Sequence, residues 1–205
     1  MSGYTKVNLM DLSEVNEIEK VSEIISDFSC PYNIDVEEFL KTKALMFSQQ
    51  RIASTYLIFS SYKGKPVLVG YFALATKYFH IDAKKPGGIS KTLFKRIKKF
   101  AVHDKELGKQ IIAAPLIGQL GKNYSNNYDK LITGDELLKI ACDTVHEALR
   151  IIGGKLVYLE CEDTPALINF YEDNGFYNFG RRELEGDEKD RMSGAYLIQL
   201  LKYLG

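Results

Sequence analysis

A mixed α/β sheet with helices on both faces is the fold class this sequence predicts, and three observations carry the prediction. Segments rich in β-formers, either alternating or continuously apolar, are interleaved with segments whose apolar residues recur every three or four positions. Capping residues and glycines fall at the joints between them. With 205 residues, 45% hydrophobic, 12% aromatic and 26% charged, the chain is long enough to bury a substantial core and too apolar to stay disordered. No repeat, low-complexity tract or proline-rich linker divides it, so a single domain over 1–205 is expected.

Lys6 to Leu12 alternates as a short strand. Val15, Ile18, Val21, Ile25 and Phe28 then form a helical stripe, stopped at Cys30-Pro31. Asp35 followed by Glu38 reads as a capping box for a second helix, with Val36, Leu40, Ala44 and Phe47 on one face. Ser54–Tyr62 and Val67–Thr76, joined by Lys63-Gly64-Lys65-Pro66, read as an antiparallel pair. After Pro86-Gly87-Gly88, Ser90 is the expected N-cap of a basic amphipathic helix with Leu93, Ile97, Phe100 and Ala101 on its apolar side. Ile111–Leu120 is nearly continuous in apolar residues, which predicts a central strand buried on both faces with a bulge at Pro115. Thr133 and Glu136 then cap a helix carrying Leu137, Ala141, Val145 and Ala148, stopped at Gly153-Gly154. Lys155–Cys161 is a buried strand, and Thr164 with Pro165 opens a short helix ending at Asn174-Gly175. Strands Tyr177–Leu184 and Ala195–Leu204 close an order of βααββ(α)βαβαββ.

The net charge is zero, yet its distribution is uneven. Residues 1–40 carry nine acidic side chains against Lys6 and Lys20. Residues 82–110, a basic helical insert, reverse this with nine cations, including Lys84, Lys85, Lys91, Lys95, Arg96, Lys98 and Lys99, against three acids. Such a face either meets phosphates or is simply solvated. No stretch approaches eighteen consecutive apolar residues and residues 1–6 lack signal-peptide character, so a cytoplasmic chain without membrane contact is expected. Cys30, Cys142 and Cys161 are widely spaced without a CxxC, which predicts free thiols and no zinc site.

Thr164-Pro165-Ala166-Leu167-Ile168-Asn169-Phe170-Tyr171-Glu172-Asp173-Asn174-Gly175-Phe176, placed near the end of that element order, resembles the GNAT acetyltransferases. The strand Pro115–Leu120 also looks like the family's cofactor strand, whose bulge splays two neighbours apart. The resemblance therefore implies a GNAT-like, mostly antiparallel sheet splayed at a central bulged strand, with acetyl-CoA as co-substrate. It implies Tyr171 as the group that donates to the leaving sulfur, a role that suits a phenol of reference pKa ~10. It places acetyl-CoA along Leu120, Gly121 and Lys122, at Leu131, Ile132, Thr133, Gly134 and Asp135, and near Thr164.

Independently of any family, Thr133-Gly134-Asp135-Glu136 opens a helix after a loop, so amide groups and the positive dipole end meet there, which suits a pyrophosphate. The same residues are equally an ordinary capped helix. Against the family's Gln/Arg-x-x-Gly-x-Gly/Ala pattern, Asp129 takes the first place, Ile132 the first glycine's, and Gly134 alone matches. A side chain at Ile132 is thus expected to crowd the backbone approach, and Asp129 and Asp135 to repel a diphosphate unless turned away.

Within the family, Phe28-Ser29-Cys30, Phe39-Leu40, Lys43-Ala44-Leu45, Ser54–Ile58 and Gly70–Leu74 look like the toxins that acetylate the α-amine of aminoacyl-tRNA. That likeness implies tRNA held by Lys91, Lys95, Lys98 and Lys99, with an antitoxin or a second copy as a further partner. A small-molecule or protein amine acceptor, and a binding module without turnover, stay open beside it. His80, His103 and His146 show no pattern of a catalytic base.

Overall fold

The computed structural model describes residues 3–15, 18–84, 87–186, 188–191 and 194–205. Lys85 and Pro86, counted above at the start of the basic insert, lie outside the described residues, as do residues 1–2. In chain order the elements are β1 (Tyr4–Asn8), α1 (Leu9–Val15), α2 (Ile18–Ser26), α3 (Ile34–Glu38), which runs through a π-helical turn (Phe39–Lys43) into α4 (Ala44–Gln49), β2 (Ser54–Tyr62) and β3 (Lys65–Asp82). Then come α5 (Lys91–Ile97) with a 3₁₀ turn (Lys98–Phe100), β4 (Ala101–Asp104), β5 (Lys109–Lys122), a 3₁₀ segment (Ser125–Leu131) and α6 (Gly134–Ile152). The chain ends with β6 (Leu156–Glu162), α7 (Pro165–Asp173), β7 (Tyr177–Glu183), α8 (Glu188–Arg191) and β8 (Tyr196–Tyr203). The strands pair in the order β1-β2-β3-β5-β6-β8-β7, with β4 beside β5. Among the described residues five ladders are antiparallel, and β5 with β6 is parallel.

Two compact units divide the chain: residues 1–75 with 118–141, and residues 76–117 with 142–205. The first is built on Leu9, Val21, Ile25, Phe28, Val36, Leu40, Leu57 and Tyr71. The second is built on Phe79, Ile81, Leu93, Ile97, Ile112, Tyr158, Phe179 and Leu201. Leu9 and Phe28 are completely buried, at a gain of about 1.5–3 kcal/mol each over leaving such side chains in water.

In the first unit, β1 ends at Asn8 instead of running to Leu12, because the Asn8 side chain accepts the Met10 amide at 2.8 Å and starts α1. Asn33, and not Asp35, caps α3, its side-chain oxygen accepting from the Val36 amide at 3.2 Å. Asp35 lies in the first turn and instead accepts from Gln119 Nε2 at 2.9 Å. The β2–β3 hairpin turns on Lys63 and Gly64 alone, at φ of 50° and 77°, the left-handed pair that a two-residue loop requires.

In the second unit, Ser90 caps α5 through the Leu93 amide at 3.2 Å, as predicted. Phe100 is exposed and Ala101 begins β4 rather than extending the helix, because the 3₁₀ turn closes it first. The segment from 101 on is a hairpin, β4 with β5, whose turn is held by Asp104 Oδ1 accepting from the amides of Glu106 and Leu107, each at 2.9 Å. β5 is not buried on both faces: Gln110, Ile112 and Ala114 are buried while Ala113 is exposed. The buried phase then slips from even positions to Ile117 across Pro115 and Leu116, the one-residue offset of a bulge. The parallel ladder with β6 consists of Leu116 opposite Tyr158 and Ile117 opposite Leu159. On α6, Leu149 and not Ala148 continues the buried stripe, and Gly153 and Gly154 end the helix at φ of 85° and 107°.

Candidate functional site

Tyr171 belongs to the second unit. Thr164 enters α7 in an extended conformation with Pro165 in the first turn, and its side chain makes no capping bond; its carbonyl instead accepts the amides of Leu167 and Ile168. The Asn-Gly-Phe text is the far end of the same construction. Asn174 Nδ2 donates to the Phe170 carbonyl at 2.9 Å, Gly175 turns at φ 79°, and the amides of Asn174 and Phe176 both donate to the Tyr171 carbonyl. Asn174 and Phe176 thus fix the backbone of Tyr171 through its own carbonyl, while Gly175 supplies the turn and donates to the Glu172 carbonyl. Its ring meets Phe170 and Phe176 edge to face, with centroids 5.0 and 5.9 Å away.

Burial pushes the Tyr171 phenol well above its ordinary value, and the Cys161 sulfur adds to the rise. The Cys161 thiol is itself pushed up to about 12, by burial first and then by Asp163 and Glu162. Both groups are therefore neutral at physiological pH. The Tyr171 side chain is half-buried, and its hydroxyl makes no hydrogen bond with any described residue. Sequence reasoning missed Cys161 as its neighbour, since the two are joined by the α7 connection and not by periodicity.

The helix start at Thr133 belongs to the first unit. The capping box is fully formed: Thr133 Oγ1 accepts from the Glu136 amide at 3.1 Å, and Glu136 Oε2 accepts from the Thr133 amide and hydroxyl at 2.8 and 2.9 Å. These bonds hold the Glu136 carboxyl below the usual carboxylate range. Ile132 is 2% exposed, backbone and side chain alike, so the solvent-facing part of this helix start is Thr133 and Gly134. Leu131 accepts from Tyr4 Oη at 3.0 Å, while Lys122 Nζ donates to the Asp129 carbonyl at 3.0 Å. Asp135 is exposed, Gly134 and Leu120 are half-buried, and Thr164, in the other unit, is exposed. Gly121 is a packing glycine: a methyl there would stand 2.4 Å from Val36 Cγ1.

Lys91, Lys95, Lys98 and Lys99 are all exposed on or just after α5. His80 lies beside Tyr78 at 5.5 Å, His103 Nδ1 is within 2.8 Å of Gln110 Nε2, and His146 is exposed on α6. Cys30, Cys142 and Cys161 are buried thiols. Among the described residues no cluster of three metal-ligating side chains occurs, and no helix is long and apolar enough to cross a membrane.

No family model and no curated protein matches the sequence. Solved structures do match over nearly the whole chain. A tyrosine-to-phenylalanine mutant of KacT is 19% identical with TM-score 0.62, over 96% of this chain and 94% of that one. AtaT complexed with acetyl-methionyl-tRNAfMet is 18% identical with TM-score 0.59, over 95% and 93%. AtaTR bound with AcCoA is 15% identical with TM-score 0.54, over 99% and 94%. The fold class is therefore the GNAT-like mixed α/β fold. More narrowly, it is the form of that fold seen in KacT and AtaT.

Proposed function

We propose that this protein is an acetyl-CoA-dependent N-acetyltransferase whose acceptor is the α-amine of an aminoacyl-tRNA. The observation that carries the reading is Tyr171, a half-buried phenol whose O–H is engaged by no described residue, held by the Asn174-Gly175-Phe176 cap. The fold shared with AtaT, solved with acetyl-methionyl-tRNAfMet, and with AtaTR, solved with AcCoA, supports the same reading.

In the reaction the acceptor nitrogen attacks the thioester carbon, the C–N bond forms and the C–S bond breaks. Nitrogen gives up a proton and sulfur gains one. Tyr171 donates a hydrogen bond to the sulfur as charge develops there. A thiol's reference pKa is near ~8.5 and a phenol's near ~10, so full transfer from phenol to thiolate is uphill by about 2 kcal/mol before any shift. Burial of Tyr171 raises that cost further. Tyr171 therefore holds its proton and stabilises, and the proton that sulfur finally carries originates on nitrogen. An α-amine, with reference pKa ~8, is neutral in roughly a tenth of its molecules near pH ~7, far more than a lysine amine of ~10.4, and so needs no strong general base, in keeping with the peripheral histidines.

The start of α6 suits a pyrophosphate: Thr133 is exposed and Gly134 half-buried, and the helix dipole points there. Gly134 and Lys122 would hold it. Lys91, Lys95, Lys98 and Lys99 would meet the phosphates of tRNA.

Tyr171→Phe should leave acetyl-CoA affinity nearly unchanged by calorimetry and lower turnover roughly 10²-fold or more; unchanged kcat removes Tyr171 from the mechanism. Reversing Lys91, Lys95 and Lys98 to Glu should abolish acetylation of charged tRNA and spare acetyl-CoA binding. A wild-type protein without salt-sensitive tRNA binding makes a small amine the better acceptor.

A further inference from the structure

A cavity of about 270 Å³ opens in the second unit, formed by α5, the residue after the α7 cap and the ends of β7 and β8. Arg96, Lys202, Tyr177 and Tyr203 line it, with Thr92 and Gly175. It is smaller than the ~300–1,000 Å³ of pockets that enclose a whole small ligand, a size suited to one phosphate and part of its sugar. No aspartate or glutamate lines it.

Its two cations are positioned by neutral partners. Arg96 lies 5.8 Å from the Tyr203 ring centroid, and Lys155 approaches the same ring at 5.9 Å. Lys202 Nζ donates to the Asn174 carbonyl at 2.8 Å and lies 5.7 Å from the Phe176 ring centroid. That lysine bond offsets one local feature hostile to an anion, the negative end of the α7 dipole, and Leu93 and Gly205 complete the lining. The bond engages a single ammonium hydrogen and leaves two, while Arg96 offers a planar fork of donors. Neither cation forms an ion pair with a described residue. Tyr177, 45% exposed, presents a ring beside them.

We propose that this cavity is a phosphate subsite, in which Arg96 and Lys202 grip one backbone phosphate of a nucleic acid whose neighbouring sugar or base rests on Tyr177. The assignment to nucleic acid rests on the tRNA reading given above. It adds a division of labour: Lys91, Lys95, Lys98 and Lys99 supply diffuse attraction, and Arg96, equally exposed but seated against Tyr203, fixes register with Lys202. Free phosphate shares the chemistry, and the test separates the two sources.

The test compares wild type, Arg96→Gln/Lys202→Gln and Arg96→Lys, all verified by melting temperature, in titrations with tRNA over a range of salt and with inorganic phosphate while the Tyr177 and Tyr203 ring resonances are followed. Wild type should bind tRNA with steep salt dependence, and phosphate should shift both rings. The double variant should lose the phosphate shifts, bind tRNA roughly tenfold or more weakly, and show a slope of log affinity against log salt flatter by about 1.4–1.8, two contacts' worth. Arg96→Lys should recover most of the affinity, which a merely packing role would not give. Wild-type slope in the double variant, or ring signals indifferent to phosphate, overturns the subsite. Phosphate shifts in a wild type that binds no tRNA overturn the nucleic-acid assignment and the tRNA reading together. Salt-sensitive tRNA binding with silent rings overturns the subsite and leaves the tRNA reading standing.

Discussion

Gly121→Ala decides whether that glycine serves the core or the co-substrate. A methyl at Gly121 would stand 2.4 Å from Val36 Cγ1, 3.5 Å from Phe28 Cζ and 3.7 Å from Tyr71 Cε1. Only the first contact is prohibitive, and it is hard to relieve. Val36 sits in a helix, where a valine has essentially one χ1 rotamer, so α3 itself has to retreat. That retreat strains the Asn33 cap and the bond from the buried Tyr71 hydroxyl to the Val36 carbonyl. Overpacking of this kind costs about 1–3 kcal/mol, and the rigid neighbour argues for about 2–3. For a chain of this length each kcal/mol lowers Tm by about 2–4 °C, giving a drop of roughly 4–12 °C. Thermal melting with acetyl-CoA calorimetry on the same sample measures both quantities. Val36→Ala alone should destabilise by roughly 1.5–3 kcal/mol through lost methyls and the space they leave. Combined with Gly121→Ala it should cost less than the sum, by about 0.5–3 kcal/mol of coupling, because the methyls exchange places. Strict additivity, or an unchanged Tm with acetyl-CoA binding lost, refutes the packing argument and returns Gly121 to the co-substrate.

Gly134→Val should weaken acetyl-CoA binding with little loss of stability, since a branched side chain would crowd the helix start where the pyrophosphate is assigned; normal affinity by calorimetry would move the phosphates elsewhere. Glu188→Gln should destabilise by about 1 kcal/mol near neutrality, because Glu188 and Glu160 together hold the Arg182 guanidinium. Hydrogen bonds from Arg182 hold the Glu188 carboxyl below its ordinary value, so its contribution is complete above an unfolded pKa of ~4.3 and vanishes as pH falls through the lower folded value. The wild-type advantage over Glu188→Gln in urea should therefore shrink below pH ~4.3 and be unchanged between pH ~6 and 8; an advantage as large at pH ~3 contradicts the linkage.

The fold was legible where one residue type has one local consequence. Ser90, the Thr133 and Glu136 pair, and the glycines at 64, 153, 154 and 175 do in the structure what their chemistry predicts. Errors arose where side chains of similar chemistry competed for one task. Asn33 and Asp35 both suit an N-cap, and the choice fell to Asn33 because Gln119, 84 positions away, engages Asp35. The β4–β5 hairpin was concealed in a charge-rich stretch, since Asp104 and Gly108 read as solvated insert before their turn is seen. Pro115 was the opposite case. A residue that disrupts a ladder inside an otherwise continuous strand announces the phase slip that burial then displays.

The candidate site was legible at Tyr171 because its motif is also its mechanical support, the cap on the tyrosine's own carbonyl. The candidate phosphate loop was legible as a capped helix start, since a capping box and an anion site are written with the same residues. Energetics separates their demands. Glu136 satisfies the Thr133 amide and places a carboxylate, kept ionised by those bonds, where a pyrophosphate would be attracted. An N-terminal cap contributes about 0.5–2 kcal/mol, whereas each hydrogen bond to a charged phosphate oxygen contributes about 1.5–3 kcal/mol. Two such bonds from the helix start and one from Lys122 therefore outweigh a displaced cap. Glu136 is exposed, so on the proposed reading its carboxylate leaves the Thr133 amide for water and phosphate takes its place at the same terminus.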